Sequence, residues 1–231
     1  MTAVGLQERF HVGGAAGPLL MVVALFMAWP VSRWLATGGR AGTFGLAWRR
    51  STILVIGGGL AAMVLARLAA GWIAIGAGIA TFDSAGSGDP LAGFVLALAM
   101  GAIPALAEDV LTRGFPLFAA RSTWPAAALI ALSAAMYALN HVWRLDWGIT
   151  EQQRLFCMGL AYAAAAWRAR SLWAAFALHL GWNAGSALVP LDISGTEAFR
   201  IETAILHLIL AAAVMLLPPR LVGASECNRD A

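Results

Sequence analysis

What most constrains this chain is a succession of long apolar runs broken only by short polar connectors. A bilayer core of roughly 30 Å needs about 20 apolar residues for one helical crossing. Seven runs approach or exceed that length, at residues 15–36, 52–80, 91–118, 124–143, 154–167, 171–190 and 201–217. The fifth is short, and the third is long and interrupted by Pro104 and Pro116. Connectors such as 83–90 and 191–200 are too brief to hold a soluble domain. Charged residues make up 12% of the 231 and hydrophobic residues 61%, against a charged share of roughly 25% in soluble domains. So few charges cannot clothe a water-soluble globule of this size. A cytosolic enzyme, a disordered chain and a nucleic-acid binder are thereby excluded. The predicted fold class is all-α: a polytopic membrane helical bundle of about seven transmembrane helices.

The charges that remain are informative by position. The basic residues are all Arg, with no Lys, and they lie singly or in pairs without the stripe that phosphate backbones require. Seven spans put the termini on opposite sides. Arg33, Arg40, Arg49, Arg50, Arg121, Arg168, Arg170, Arg220 and Arg229 fall on one set of alternate connectors, and Arg9, Arg144, Arg154 and Arg200 on the other. That asymmetry predicts a cytoplasmic C-terminus and an external N-terminus. The first run continues past Trp29 to Arg33 without a small-x-small cleavage site, so a retained helix is expected there. Trp143, Trp147, Trp167 and Trp173 fall near span ends, where interfacial aromatics anchor helices. Cys157 and Cys227 provide neither a disulfide framework nor a metal framework.

A charge within a span costs about 2.5–3.5 kcal/mol on insertion scales and requires a reason. The third span holds Glu108, Asp109 and Arg113. Asp109 and Arg113 stand four apart, acid first, which suits a structural ion pair. Glu108 points about 100° away and has no partner at that spacing. The fourth span carries Tyr137 and His141, and the sixth His179 and Asn183, each pair four apart and on one helical face. Glu108 and His141 lie 33 positions apart, with the midpoint at Trp124-Pro125 in the one polar break between them. A hairpin turning there carries both side chains about 16 residues, or roughly 24 Å, from the turn. From a hairpin at residues 168–170, Asn183 rises about 20 Å and His179 about 14 Å. The expectation is a polar layer of Glu108, His141 and Asn183, with His179 one turn below.

A carboxylate beside an imidazole can hold and deprotonate water, and a second His with an amide offers donors to a developing oxyanion. That set fits peptide-bond hydrolysis. The alternative is a zinc site, with Glu108, His141 and His179 as ligands and water in the fourth place. There is no HExxH, so a zincin helix is excluded. No cofactor is expected on the first reading, zinc on the second.

At these residues the sequence resembles the CAAX protease and bacteriocin-processing (CPBP, or Abi) family of intramembrane endopeptidases, which includes the type II CAAX prenyl endopeptidase. Glu108-Asp109-Val-Leu-Thr-Arg113-Gly114 resembles the family's EExxxR motif followed by Gly. Tyr137-Ala-Leu-Asn-His141 resembles FxxxH, and His179-Leu-Gly-Trp-Asn183 meets HxxxN. Asp109 replaces the second Glu and Tyr137 the Phe. The resemblance implies that Glu108 and His141 activate water while His179 and Asn183 form the oxyanion hole, with Asp109, Arg113 and Tyr137 in support. It divides the chain into N-terminal helices at 1–90, a protease core at 91–190, and a last helix and tail at 191–231. The implied substrate is a membrane-associated peptide or protein tail, and the implied location a bacterial plasma (inner) membrane. The alternatives are a catalytically idle scaffold or bacteriocin-immunity protein, and a proton-coupled transporter. The transporter lacks the broken half-repeats usual in that class. Arg67 matches no motif, and His207 is expected to be structural.

Overall fold

A computed structural model describes residues 44–82, 89–119, 124–189, 191–192 and 197–216. The run at 15–36 lies outside the described residues. Among the described residues six α-helices follow one another: α1 Thr52–Gly76, α2 Pro90–Asp109, α3 Ala126–Leu139, α4 Ile149–Ala169, α5 Leu172–Gly185 and α6 Glu197–Leu216. A π-helical segment, Val110–Ala119, extends α2, and a 3₁₀ turn, Val142–Trp147, joins α3 to α4. Two short strands, β1 (Thr81–Phe82) and β2 (Leu191–Asp192), pair antiparallel with Thr81 opposite Asp192.

Local sequence explains the helix ends. Asp89 accepts from the Leu91 amide at 2.9 Å with Pro90 in the first turn, the side-chain cap and fixed φ that start a helix well. Past Asp109 the backbone widens into π-helix, and Pro116 within it has no N–H to give the preceding turn. Between α4 and α5 the chain turns at Arg170, left-handed at φ 51°, with the Ser171 amide donating to the Ala166 carbonyl at 3.1 Å. The expected fourth span, 124–143, is a shorter helix. It closes before His141 because Asn140 and His141 are occupied by the polar contacts described below. The expected short fifth span is a 21-residue helix, its first two turns carrying Glu151, Gln152 and Arg154, residues too polar to be read as membrane.

Among the described residues, three stretches are long and apolar enough to cross a membrane: Thr52–Gly76, Pro90–Phe118 and Glu197–Leu216. They are apolar on the outside. Leu54, Leu65 and Ile73 of α1, Leu91, Leu96 and Met100 of α2, and Ile205, Ile209 and Leu216 of α6 are all exposed. The charged side chains Arg67, Glu108, Asp109, Arg113 and Glu151 are buried instead. This inversion suits a lipid surround, in which apolar side chains need no shelter and charges do. Arg67 does not form an ion pair with a core acid among the described residues; its guanidinium lies 5.2 Å from the ring centroids of both Trp182 and Phe199.

With little hydrophobic force available between helices in lipid, packing depends on close backbone approach at small residues. The centre is α4 and α5. Helix α5 packs on α1 and α2, and α4 on α3, α5 and α6. A β-carbon on Gly159 would lie 2.7 Å from Ala134 Cα, and one on Gly181 would lie 2.7 Å from the Leu60 carbonyl oxygen. Gly57 meets nothing within 4 Å. Gly159→Ala should therefore destabilise the detergent-solubilised protein by about 1–3 kcal/mol. Gly57→Ala should be neutral or stabilising by up to about 1 kcal/mol. Thermal unfolding of the two variants side by side checks the contrast, and equal behaviour would refute the close α3–α4 contact.

Candidate active site

The polar residues of three helices meet where α2 passes into its π segment. Glu108 is the last but one residue of α2, His141 follows the end of α3, and His179 is central in α5. His141 Nε2 lies 3.5 Å from Glu108 Oε1, and His179 Nε2 lies 3.5 Å from Glu108 Oε2. One carboxylate thus stands between two imidazoles. The Asn140 side-chain amide donates to Glu108 Oε1. The peptide of Glu108 is held as well, its carbonyl accepting from Thr112 Oγ1 at 2.7 Å.

Each imidazole is aimed by its other nitrogen. His141 Nδ1 lies 2.9 Å from the Tyr137 carbonyl oxygen. A carbonyl can only accept, so Nδ1 carries the proton and Nε2 is directed at Glu108. His179 Nδ1 lies 3.2 Å from Asp109 Oδ1, another pure acceptor. Asp109 also accepts from Arg113 Nη1, so the expected i,i+4 ion pair is present and has a second partner. Arg113 donates to Thr112 Oγ1 at 3.0 Å. Its guanidinium lies 4.6 Å from the Tyr137 ring centroid and 5.1 Å from that of Tyr162. Two aromatic faces thereby stabilise a cation that has only one carboxylate. Tyr137 also meets His141 at 4.9 Å and His179 at 5.7 Å.

Exposure is graded across the cluster. Side-chain exposure is 10% for Glu108 and 9% for His141, 3% for His179, and nil for Asp109 and Arg113. The floor is fully buried, and the Glu108–His141 edge keeps a little exposed surface.

Six of the seven residues singled out in the sequence are therefore gathered here: Glu108, Asp109, Arg113, Tyr137, His141 and His179. Asn183 is not among them. It is exposed, and its side chain makes no hydrogen bond to the cluster among the described residues. Four residues turn an α-helix by about 400°, leaving Asn183 about 40° round from His179 and about 6 Å along the axis. Leu178 to Trp182, and then Ala184 and Gly185, are buried all round the helix, and Asn183 alone of this stretch is exposed. Sequence reasoning passed over Asn140 and Tyr162. Asn140 was readable as the polar neighbour of His141, whereas Tyr162 sits in an alanine-rich run that offered no signal. Among the described residues no group of three or more His, Cys, Asp and Glu is disposed to hold a metal ion.

No curated protein and no solved structure matches the chain. A family model described as type II CAAX prenyl endopeptidase Rce1-like matches residues 90–185. The matched segment starts at the first residue of α2 and ends at the last residue of α5, and so contains every member of the cluster. Those four helices and their connections are therefore similar to the type II CAAX prenyl endopeptidase Rce1-like family.

Proposed function

We propose that the chain is an intramembrane endopeptidase of glutamic type that hydrolyses a peptide bond in a membrane-associated peptide or protein tail. The observation carrying this reading is the Glu108 carboxylate set between two imidazole Nε2 atoms, each at 3.5 Å. With its Nδ1 proton given to Tyr137, neutral His141 presents a lone pair beside the carboxylate. A water donating one hydrogen to Glu108 and one to His141 has its own lone pair directed outward, ready to attack a carbonyl carbon. As the C–O bond forms, Glu108 takes the proton and the carbonyl becomes an oxyanion. His179, paired through Nδ1 with Asp109, donates to that oxyanion from Nε2 when protonated. Asn183 joins it when a substrate lies along α5. Collapse of the intermediate breaks the C–N bond, and the proton held by Glu108 passes to the departing amine. No cofactor enters these steps.

The family's name supports a lipid-modified tail as substrate, and the apolar exterior around the site supports one delivered through the bilayer. A bacterial plasma membrane location and a count of seven spans belong to the same reading. A scaffold or immunity role would leave unexplained why both imidazoles are oriented on one carboxylate.

Glu108→Gln keeps shape and hydrogen bonding but cannot accept the proton. Purified variant should be as well folded as wild type and cleave neither prenylated nor unprenylated tail peptides, as read by mass spectrometry. Active wild type should contain no stoichiometric zinc and should withstand chelation. One zinc per chain, with activity lost on its removal and regained on its return, would reassign Glu108, His141 and His179 as ligands of a metalloprotease.

Asn183→Ala should lower kcat about 10²–10³-fold with KM little changed, the scale of one lost oxyanion donor. A change confined to KM would place Asn183 in substrate recognition.

Asp109→Asn removes the carboxylate charge from Arg113 and the oriented acceptor from His179. Leaving a buried cation without its counter-charge costs about 3–5 kcal/mol, so yield and detergent stability should fall together with activity. A stable but wholly inactive Asp109→Asn protein would mean that the orientation of His179 is the dominant role.

A further inference from the structure

The cluster does not end at His179. The Tyr162 ring of α4 stacks on the His179 imidazole, with centroids 5.4 Å apart and planes 19° from parallel. At its far end the Tyr162 hydroxyl meets His207 of α6, 3.4 Å from Nε2. His207 Nδ1 lies 2.7 Å from the Thr203 carbonyl oxygen, which can only accept, so Nδ1 bears the proton. In the neutral ring Nε2 is then the acceptor, and the Tyr162 hydroxyl donates to it. Trp182 closes over His207 edge to face, at 4.6 Å and 75°. Tyr162 and His207 are both fully buried. Nothing in the hydrolytic mechanism uses either residue.

We infer that Tyr162 and His207 are positioning residues for His179, through a chain running from the Thr203 carbonyl to His207, the Tyr162 hydroxyl, the Tyr162 ring and the imidazole of His179. The hydrogen bond at the hydroxyl end holds the far end of the Tyr162 ring in place. That ring forms the surface on which the imidazole lies. Asp109 fixes one edge of His179, and the stack fixes its tilt; together they aim Nε2 at Glu108. The inference assigns the last helix a part in the site: α6 lies wholly beyond the segment matched by the family and packs along α4.

The inference rests on the endopeptidase reading, and its test separates the two. Tyr162→Phe keeps the ring and removes the donor; His207→Leu removes the acceptor; His207→Gln restores an amide oxygen for Tyr162 and an N–H for Thr203. In detergent-solubilised full-length protein, Tyr162→Phe and His207→Leu should each lower kcat about tenfold with KM unchanged, the scale of a misoriented catalytic group. The double variant should be no worse than either single one, and His207→Gln should recover much of the loss. Histidine-labelled NMR spectra, which need no turnover, should show the His179 ring resonances shifted in Tyr162→Phe. Wild-type kcat in folded variants, additive losses, or unmoved His179 resonances would each overturn the coupling. If wild type cleaves no tail peptide, the endopeptidase reading falls and the His179 resonances alone decide whether the coupling exists.

Discussion

Two neighbouring carboxylates buried among apolar helices set the terms for the rest of the structure. Neither Glu108 nor Asp109 can remain charged in a low-dielectric interior without partners, and consecutive residues on a helix point about 100° apart. The two acids therefore demand two separate polar environments. Asp109 obtains Arg113 and the Nδ1 face of His179; Glu108 obtains Asn140 and the Nε2 faces of both histidines. Helices α3 and α5 are held at positions that satisfy both acids at once. The Gly159 contact with Ala134 keeps α4 tight against α3 and completes the enclosure from below.

The widening of α2 into π-helix immediately after Asp109 belongs to the same arrangement. Such segments collect at functional sites because they reorient side chains within a continuous helix. Here the segment carries Thr112 and Arg113, whose groups grip the Glu108 carbonyl and the Asp109 carboxylate. The acids are thus gripped from the C-terminal side as well as across the bundle.

Much of this was legible in the sequence, and for a physical reason. Lipid suppresses charges so strongly that each survivor signals a constraint, and Glu108, Asp109, Arg113, His141 and His179 all announced themselves that way. The distance from Glu108 to His141 about the Trp124-Pro125 break anticipated that the two would meet. Asn183 was harder, because a four-residue spacing states that two side chains share a stripe without stating where the stripe leaves the interior. Tyr162 and Asn140 were harder still. Tyrosine and asparagine near an interface are ordinary, and only the packing of α4 and the end of α3 gives them partners. The polar first turn of α4 hid a helix that hydropathy alone cut short.

Exposure falls from Glu108 down to Arg113, and with it falls the screening of charge by the surroundings. Glu108 and His141 keep a small exposed edge, while the Asp109–Arg113 pair keeps none. The Asp109–Arg113 pair is a fixed dipole beside Glu108, so the field it casts on that carboxylate is set by the fold and not by the surroundings.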